Sequence, residues 1–463
     1  MQRTHSTKLW ITLAAALVCG AAVIAQQAAP MPGAAGPATQ PARGARGGRG
    51  RGAGAAANFP DASTLPKEWI DADTGHRVFR LSPENGSESA YFHYNEFSLD
   101  KQKLIFTAPA GICAVNLKTH EVETVVPGQR GLMETGLKTN EVFYTTGGAV
   151  WAADINTHVA RKVVDLPAGS GGVSCVNCDE TLFAGTISGN AAIDPTGATT
   201  RPAPRPAPNQ LAEMFPGKTM DQLTPAQQSA VTKEQGLSSR VANPTPMALF
   251  TINAKTGERK VFGYAYAWLN HLQFSPTDPT ALMFCHEGTW HENDRIWTIH
   301  TDGTGLKLMH ARTMPMEIAG HEWWGPDGKM IWFDLQTPRS QVFWIAGVNF
   351  QTGETVKYHI EQNWWGIHFQ VSNDGKMFAS DGGDPGQVAF APDGQWINLF
   401  RVQGDGTLTR EKLVNMSKQN YVTGNGGLEP NVQFSPDDKY VIFRANMLGP
   451  THVFAVEVAK AAP

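Results

Sequence analysis

A short phrase recurs along this 463-residue chain, and the recurrence limits the fold more than any other feature. It reads Phe274-Ser-Pro-Thr-Asp-Pro-Thr-Ala-Leu-Met-Phe, then Trp324-Gly-Pro-Asp-Gly-Lys-Met-Ile-Trp-Phe, then Val371-Ser-Asn-Asp-Gly-Lys-Met-Phe-Ala, then Phe434-Ser-Pro-Asp-Asp-Lys-Tyr-Val-Ile-Phe. Each copy spells strand, tight turn, strand. Phe97-Ser-Leu-Asp-Lys-Gln-Lys-Leu-Ile-Phe is a fifth copy, and degenerate sixth and seventh copies begin at Leu137 and Val176. Second hairpins such as Val150-Trp-Ala-Ala-Asp-Ile-Asn-Thr and Ile296-Trp-Thr-Ile-His-Thr-Asp-Gly follow many of them, which makes four strands per unit. Such a unit cannot bury its faces alone, so the copies must stack radially. The expected fold is an all-β, seven-bladed β-propeller with four-stranded antiparallel blades.

The spacing of the copies locates an insertion. The residues before the turns stand at 97, 137, 176, 274, 324, 371 and 434, so one step is far longer than the rest. Residues 194–243 fill it with Arg-Pro-Ala-Pro repeats and a polar, helix-like stretch near Leu211–Glu234, neither of which can belong to a blade. Without that insertion, residues 59–463 supply about 51 residues per blade, close to the usual propeller period.

The first 58 residues are of a different kind. Arg3 and Lys8 precede the apolar run Ile11–Ala25, and small residues around Val23-Ile24-Ala25 suit signal peptidase, so residues 1–25 read as an export signal. A lipoprotein signal through Cys19 ranks second, because Ala16 stands where that signal prefers a larger aliphatic residue. Residues 26–58 are rich in Ala, Gly, Pro and Arg with no apolar period, which is the composition of a disordered linker. The expected location is periplasmic or secreted, with no stable membrane span. Lys+Arg 38 against Asp+Glu 42 leaves the chain at −4, which argues against nucleic acid as a partner. Cys175-Val-Asn-Cys178 has redox or zinc spacing, but without a second pair it reads as a disulfide or as two buried thiols.

In a propeller the first strand of each blade lines the central channel, so one offset in every copy forms a ring around the axis. Three residues before each marker stand Tyr94, Glu134, Val173, His271, His321, His368 and Asn431. Eight of the 14 histidines fall between His271 and His368, where even scatter would place about three. A single such histidine is more often a strand cap or an interblade hydrogen bond. Three in consecutive copies at one offset instead suggest a site. Glu429, two residues before Asn431, points the same way on an extended strand. Imidazole, carboxylate and amide together suit a divalent metal.

At these residues the chain resembles the oligogalacturonate lyases. The resemblance rests on His271-Leu-Gln-Phe-Ser-Pro, Met283-Phe-Cys-His-Glu-Gly, Asp294-Arg-Ile-Trp, His321-Glu-Trp-Trp-Gly-Pro-Asp-Gly and the opening Asp73-Thr-Gly-His-Arg-Val-Phe-Arg-Leu-Ser. It implies a carbon-oxygen lyase that cleaves short uronate-containing oligosaccharides by metal-assisted β-elimination. It further implies that His321 is the base, that Arg295 assists it, and that His271 and His286 line the substrate pocket. His368 would be a metal ligand. Where the family carries a Gln and a His-Pro-His run, this chain has Gly426-Gly-Leu-Glu-Pro-Asn431, so Glu429 and Asn431 would complete the ligand set. These oxygens suit a hard cation, manganese first, with calcium or magnesium as alternatives. Trp365, near His368, is a candidate for stacking on a sugar, although most tryptophans should pack between blades. The competing expectation is a non-catalytic periplasmic propeller that binds a protein or glycan.

Overall fold

In the computed structural model, residues 60–169, 171–383, 391–421 and 428–461 are described. The signal segment 1–25, Cys19, the linker 26–58 and Gly426 lie outside the described residues. Among the described residues the strands form seven antiparallel sheets in chain order, the seven blades that the repeat predicts. Blades two to six have four strands each, blade one has three, and blade seven has five.

The two irregular blades explain how the ring closes. Blade seven takes Gln433–Phe434, Tyr440–Ala445 and His452–Lys460 from the C-terminus and His76–Arg80 and Glu68–Ile70 from the N-terminus. Val78 pairs with Val456 and Phe79 with Ala455, so the first and last strands of the domain hydrogen-bond directly. This pairing closes the ring and leaves no open edge between the chain ends. Arg80 adds a polar clamp, with Nη1 donating to Ser82 O at 2.7 Å and Nη2 to Ala62 O at 3.0 Å.

Blade one lacks a regular inner strand. In its place residues 88–97 run as a loop tied to the sheet by the bridges Glu88 to Thr107 and Phe97 to Leu104. The loop is pinned by Glu96, 1% exposed, whose side chain accepts the Ala90 N–H. The insertion occupies blade three, between strands Leu182–Ser188 and Met247–Asn253, which pair across it through Ser188 and Met247. It contains helix α1 (Gln210–Met214) and helix α2 (Pro225–Ala242), the latter opened by a capping box between Thr224 and Gln227. Cys113, Cys175, Cys178 and Cys285 are free thiols, so the disulfide alternative for Cys175 and Cys178 is not realised. No helix among the described residues is long and apolar enough to cross a membrane.

Burial pushes the Glu96 carboxyl up to about 8, against the weaker opposing effects of the Ala90 amide and Arg444. An unfolded glutamate loses its proton near 4.5 while the folded one keeps it to about 8. The unfolded state therefore binds fewer protons in this window, and stability falls as pH rises through it. Denaturant melts of E96Q against the parent should show a difference of about 2–4 kcal/mol in the stability lost between pH 5 and 8.5, with the neutral variant flatter. Parallel curves would contradict a buried neutral Glu96.

Candidate active site

Three of the ring positions share an unusual backbone. His271, His321 and Asn431 have φ of 51°, 45° and 56°, in the left-handed region that residues with a Cβ seldom enter. For the first two, the strand register shifts at the same place, between Asn270 and Gln273 and between Gly320 and Trp323. A bulge of this kind re-aims a side chain, and here it occurs at equivalent points of adjacent blades.

The side chains meet. The rings of His321 and His368 lie 4.7 Å apart, Tyr91 packs on His368 at 5.2 Å and on His271 at 5.7 Å, and His93 lies 6.1 Å from His271. His368 Nε2 faces Glu429 at 3.9 Å and accepts a hydrogen bond from the Tyr91 hydroxyl at 3.1 Å. The groups brought together thus include His271, His321, His368 and Glu429 from four blades.

Two carboxylates set the orientation of two imidazoles. His321 Nδ1 donates to Asp334 at 2.9 Å, and His368 Nδ1 donates to Asp381 at 2.7 Å. Both leave the Nε2 lone pair directed away from the partner, the arrangement seen for metal-bound and for catalytic histidines. Asp381 is fully buried and also accepts the backbone N–H groups of Ile367, His368 and Asn431, so it joins blades six and seven. Burial opposes a charged His368, but Asp381 and Glu429 outweigh it and raise its pKa above the ordinary imidazole value. His271 has no such carboxylate. Asn270 pairs with Cys285 as Gly320 pairs with Asp334, so a thiol occupies the equivalent position. Burial lowers the pKa of His271, despite the opposing fields of Glu287 and Glu322, and keeps its ring neutral.

Arg295 is 3% exposed, and its Nε and Nη1 have no hydrogen-bond partner. Its guanidinium lies 4.1 Å over the Trp290 ring, and Trp290 in turn packs 5.1 Å from His321. Gly320 permits this contact, because a Cβ there would come within 2.1 Å of the Trp290 ring. The charges that oppose Arg295 come from Glu322, Glu287 and Asp334, none of them paired with it directly. A buried cation with free donors is suited to a carboxylate ligand.

Asn431 Nδ2 donates to the Glu429 carbonyl, while Asn431 Oδ1 is buried with no partner. Burial raises and His368, Lys233 and His321 together more than offset this to hold the Glu429 carboxylate below its ordinary value. An orphaned amide oxygen, an ionised carboxylate and two oriented imidazoles are a donor set that fits a divalent cation. A second cluster, Glu213, His291 and Glu292, brings possible ligand atoms within 4.8 Å of one another, but it lies between α1 and blade four. His291 Nε2 is already bonded to Glu213 at 3.1 Å and Arg205 reaches Glu292 at 3.4 Å.

Two expectations are corrected. Trp365 is 1% exposed and packs on Phe343, with its indole N–H donating to Ile360 O, so it is core between blades and not a sugar platform. His286 stacks on Trp297 at 4.9 Å on the face of its strand turned toward blade three, and burial alone takes its pKa down to about 4. Strand alternation places Glu287, not His286, on the side of Arg295 and His271, and Asn270 donates to its carboxylate at 2.8 Å. Tyr91, His93, Glu287, Asp334 and Asp381 were missed from the sequence. Asp334 and Asp381 had a signal, since each stands thirteen residues after its histidine.

Removing Asp381 leaves three backbone amides and an imidazole N–H without their acceptor. D381A should lose about 3–5 kcal/mol in urea unfolding, and D334A, which strands one donor, should lose less. Equal losses would remove Asp381 from its central place.

Comparison with known proteins supports the likeness read from the motifs. Residues 238–462 match a sequence model of the family described as oligogalacturonate lyase. The oligogalacturonide lyase of Pectobacterium atrosepticum is 25% identical over 223 residues, 45% of this chain and 55% of its own. The oligogalacturonate lyase of Dickeya dadantii is 25% identical over 218 residues with the same coverage. The chain thus spans about half the length of the curated relatives it matches. In fold the likeness is wider. A solved oligogalacturonate lyase in complex with manganese superposes with a TM-score of 0.66 at 21% identity, covering 85% of this chain and 96% of that one. The enzyme from Vibrio parahaemolyticus gives 0.65 at 20% identity, with the same coverage. In sequence from residue 238 onward, and in fold over most of its length, this chain is similar to the oligogalacturonate lyases.

Proposed function

We propose that the chain is a lyase that cleaves short uronate-containing oligosaccharides by β-elimination. The observation that carries this reading is the buried, unpaired guanidinium of Arg295 beside carboxylate-anchored imidazoles on one axis. Elimination requires removal of the C5 proton of a uronate, which is weakly acidic because the adjacent carboxylate is already negative. As a base takes the C5 proton, the C5–H electron pair forms the C4–C5 double bond, and the C4–O pair departs with the glycosidic oxygen, which is protonated to a hydroxyl. Negative charge builds on the carboxylate on the way, and neutralising it is the main catalytic requirement. Arg295 supplies two free donors to that carboxylate, and stacking on Trp290 keeps its plane fixed.

A divalent cation would be held by His321, His368, Glu429 and Asn431, and would supply further charge neutralisation at the uronate. Manganese leads, since a relative of the same fold is solved with it. The base is then His271. From sequence that role fell to His321, but His321 and His368 share one carboxylate-anchored arrangement and a 4.7 Å contact, which favours a joint role. His271 has a neutral, unanchored imidazole, which suits proton abstraction. The export signal read at residues 1–25 would place the reaction in the cell envelope or outside the cell.

The reading is tested by following ultraviolet absorbance of the unsaturated product with a panel of short uronides and manganese. H271A should lower kcat by about 10²–10⁴ while retaining bound metal, whereas H321A and H368A should lose the metal. R295K should fail to restore activity, because an ammonium cannot reproduce the stacked fork. If H321A keeps its metal and H271A keeps its rate, the base is His321. A parent protein inactive on every uronide but binding one unchanged would favour the non-catalytic reading.

A further inference from the structure

The insertion is built against the site. Leu237 of α2 packs with Trp290 and Ile318, and Trp290 is the side chain that touches both Arg295 and His321. Arg240 lies 3.7 Å over the Trp268 ring of blade four, and Glu234 pairs with Arg339 at 3.4 Å with both side chains largely buried. Gly288, next to Glu287, leaves room for α2, since a Cβ there would lie 2.5 Å from the Val241 side chain. Helix α2 is therefore fixed on the blades by three kinds of contact, one side chain away from the candidate catalytic groups.

Lys233 stands one turn before Leu237 on the same face. It is exposed and has no hydrogen bond or ion pair among the described residues. Leu237 rests on Trp290, the side chain that meets both Arg295 and His321, so Lys233 stands one helical turn from that contact. Residues 194–237, which include Lys233, lie outside the stretch that matches the family model.

We propose that α2 roofs the substrate pocket and that Lys233 binds the carboxylate of the uronate adjacent to the one that is cleaved. The proposal rests on the lyase reading above. An oligouronide carries one carboxylate per sugar; Arg295 meets one, and its neighbour needs a second cation. A lysine on a flexible stem suits a carboxylate whose position varies with linkage, where a fixed guanidinium would not. The insertion then sets the preference for two or more consecutive acidic sugars.

The test compares K233M, K233R and the parent on a uronide trimer and on the same trimer with the neighbouring carboxylates methyl-esterified. K233M should raise KM for the acid about tenfold with kcat within about twofold, and K233R should recover most of the loss. On the ester the parent should already show the raised KM, and K233M should add nothing. An unchanged KM for K233M, or an equal loss on acid and ester, overturns the proposal. If the parent turns over no uronide, the lyase reading has failed, and calorimetric binding of the acidic trimer decides the point instead. Weaker binding by K233M then supports the role of Lys233, and equal or absent binding by both proteins overturns it.

Discussion

Everything at the candidate site depends on closure of the ring. His271, His321, His368 and Asn431 follow one another at steps of 47 to 63 residues, and they share an axis because blade seven is shared between the two ends of the domain. The pairing of Val78 with Val456 is thus a local contact with a global consequence. A ring that opened there would separate blade seven, which carries Asn431, from blade one, whose loop carries Tyr91 and His93. Closure also removes the exposed edge that a solitary strand would offer to other chains.

Within the ring, the site is held by buried carboxylates and by local backbone strain. Asp381 is the clearest case, since a single carboxylate orients His368 and takes the Asn431 amide from the next blade. The left-handed backbone at His271, His321 and Asn431 costs on the order of 1 kcal/mol or more at each position. Such cost persists where the surroundings overdetermine it, and the shared strand bulges at the first two positions supply that restraint. The absence of a carboxylate opposite His271, where Cys285 stands, separates it chemically from the other two histidines.

How much of this was legible in the sequence depends on how regular the local structure is. The repeated turn phrase disclosed the blades, the insertion and the ring offset, because strand alternation and a fixed hairpin length map directly onto radial position. Tyr91 and His93 were not legible, since they sit in the irregular loop that replaces a strand in blade one. His286 and Trp365 were misplaced for a related reason. Proximity in sequence to a site residue says nothing about which face of a strand, or which side of a turn, a side chain occupies. Asp334 and Asp381 were legible in principle through their common spacing, which follows from equivalent hairpins in adjacent blades. The contact of α2 with Trp290 is long-range, and no local pattern encodes it.

On this reading the axis of the ring gathers one cation site from separate blades. Anomalous diffraction at the manganese edge, from crystals soaked in manganese, addresses it most directly. A single strong peak bounded by His321, His368, Glu429 and Asn431 is expected. A peak at Glu213, His291 and Glu292 with none on the axis, or no peak at either place, would contradict it.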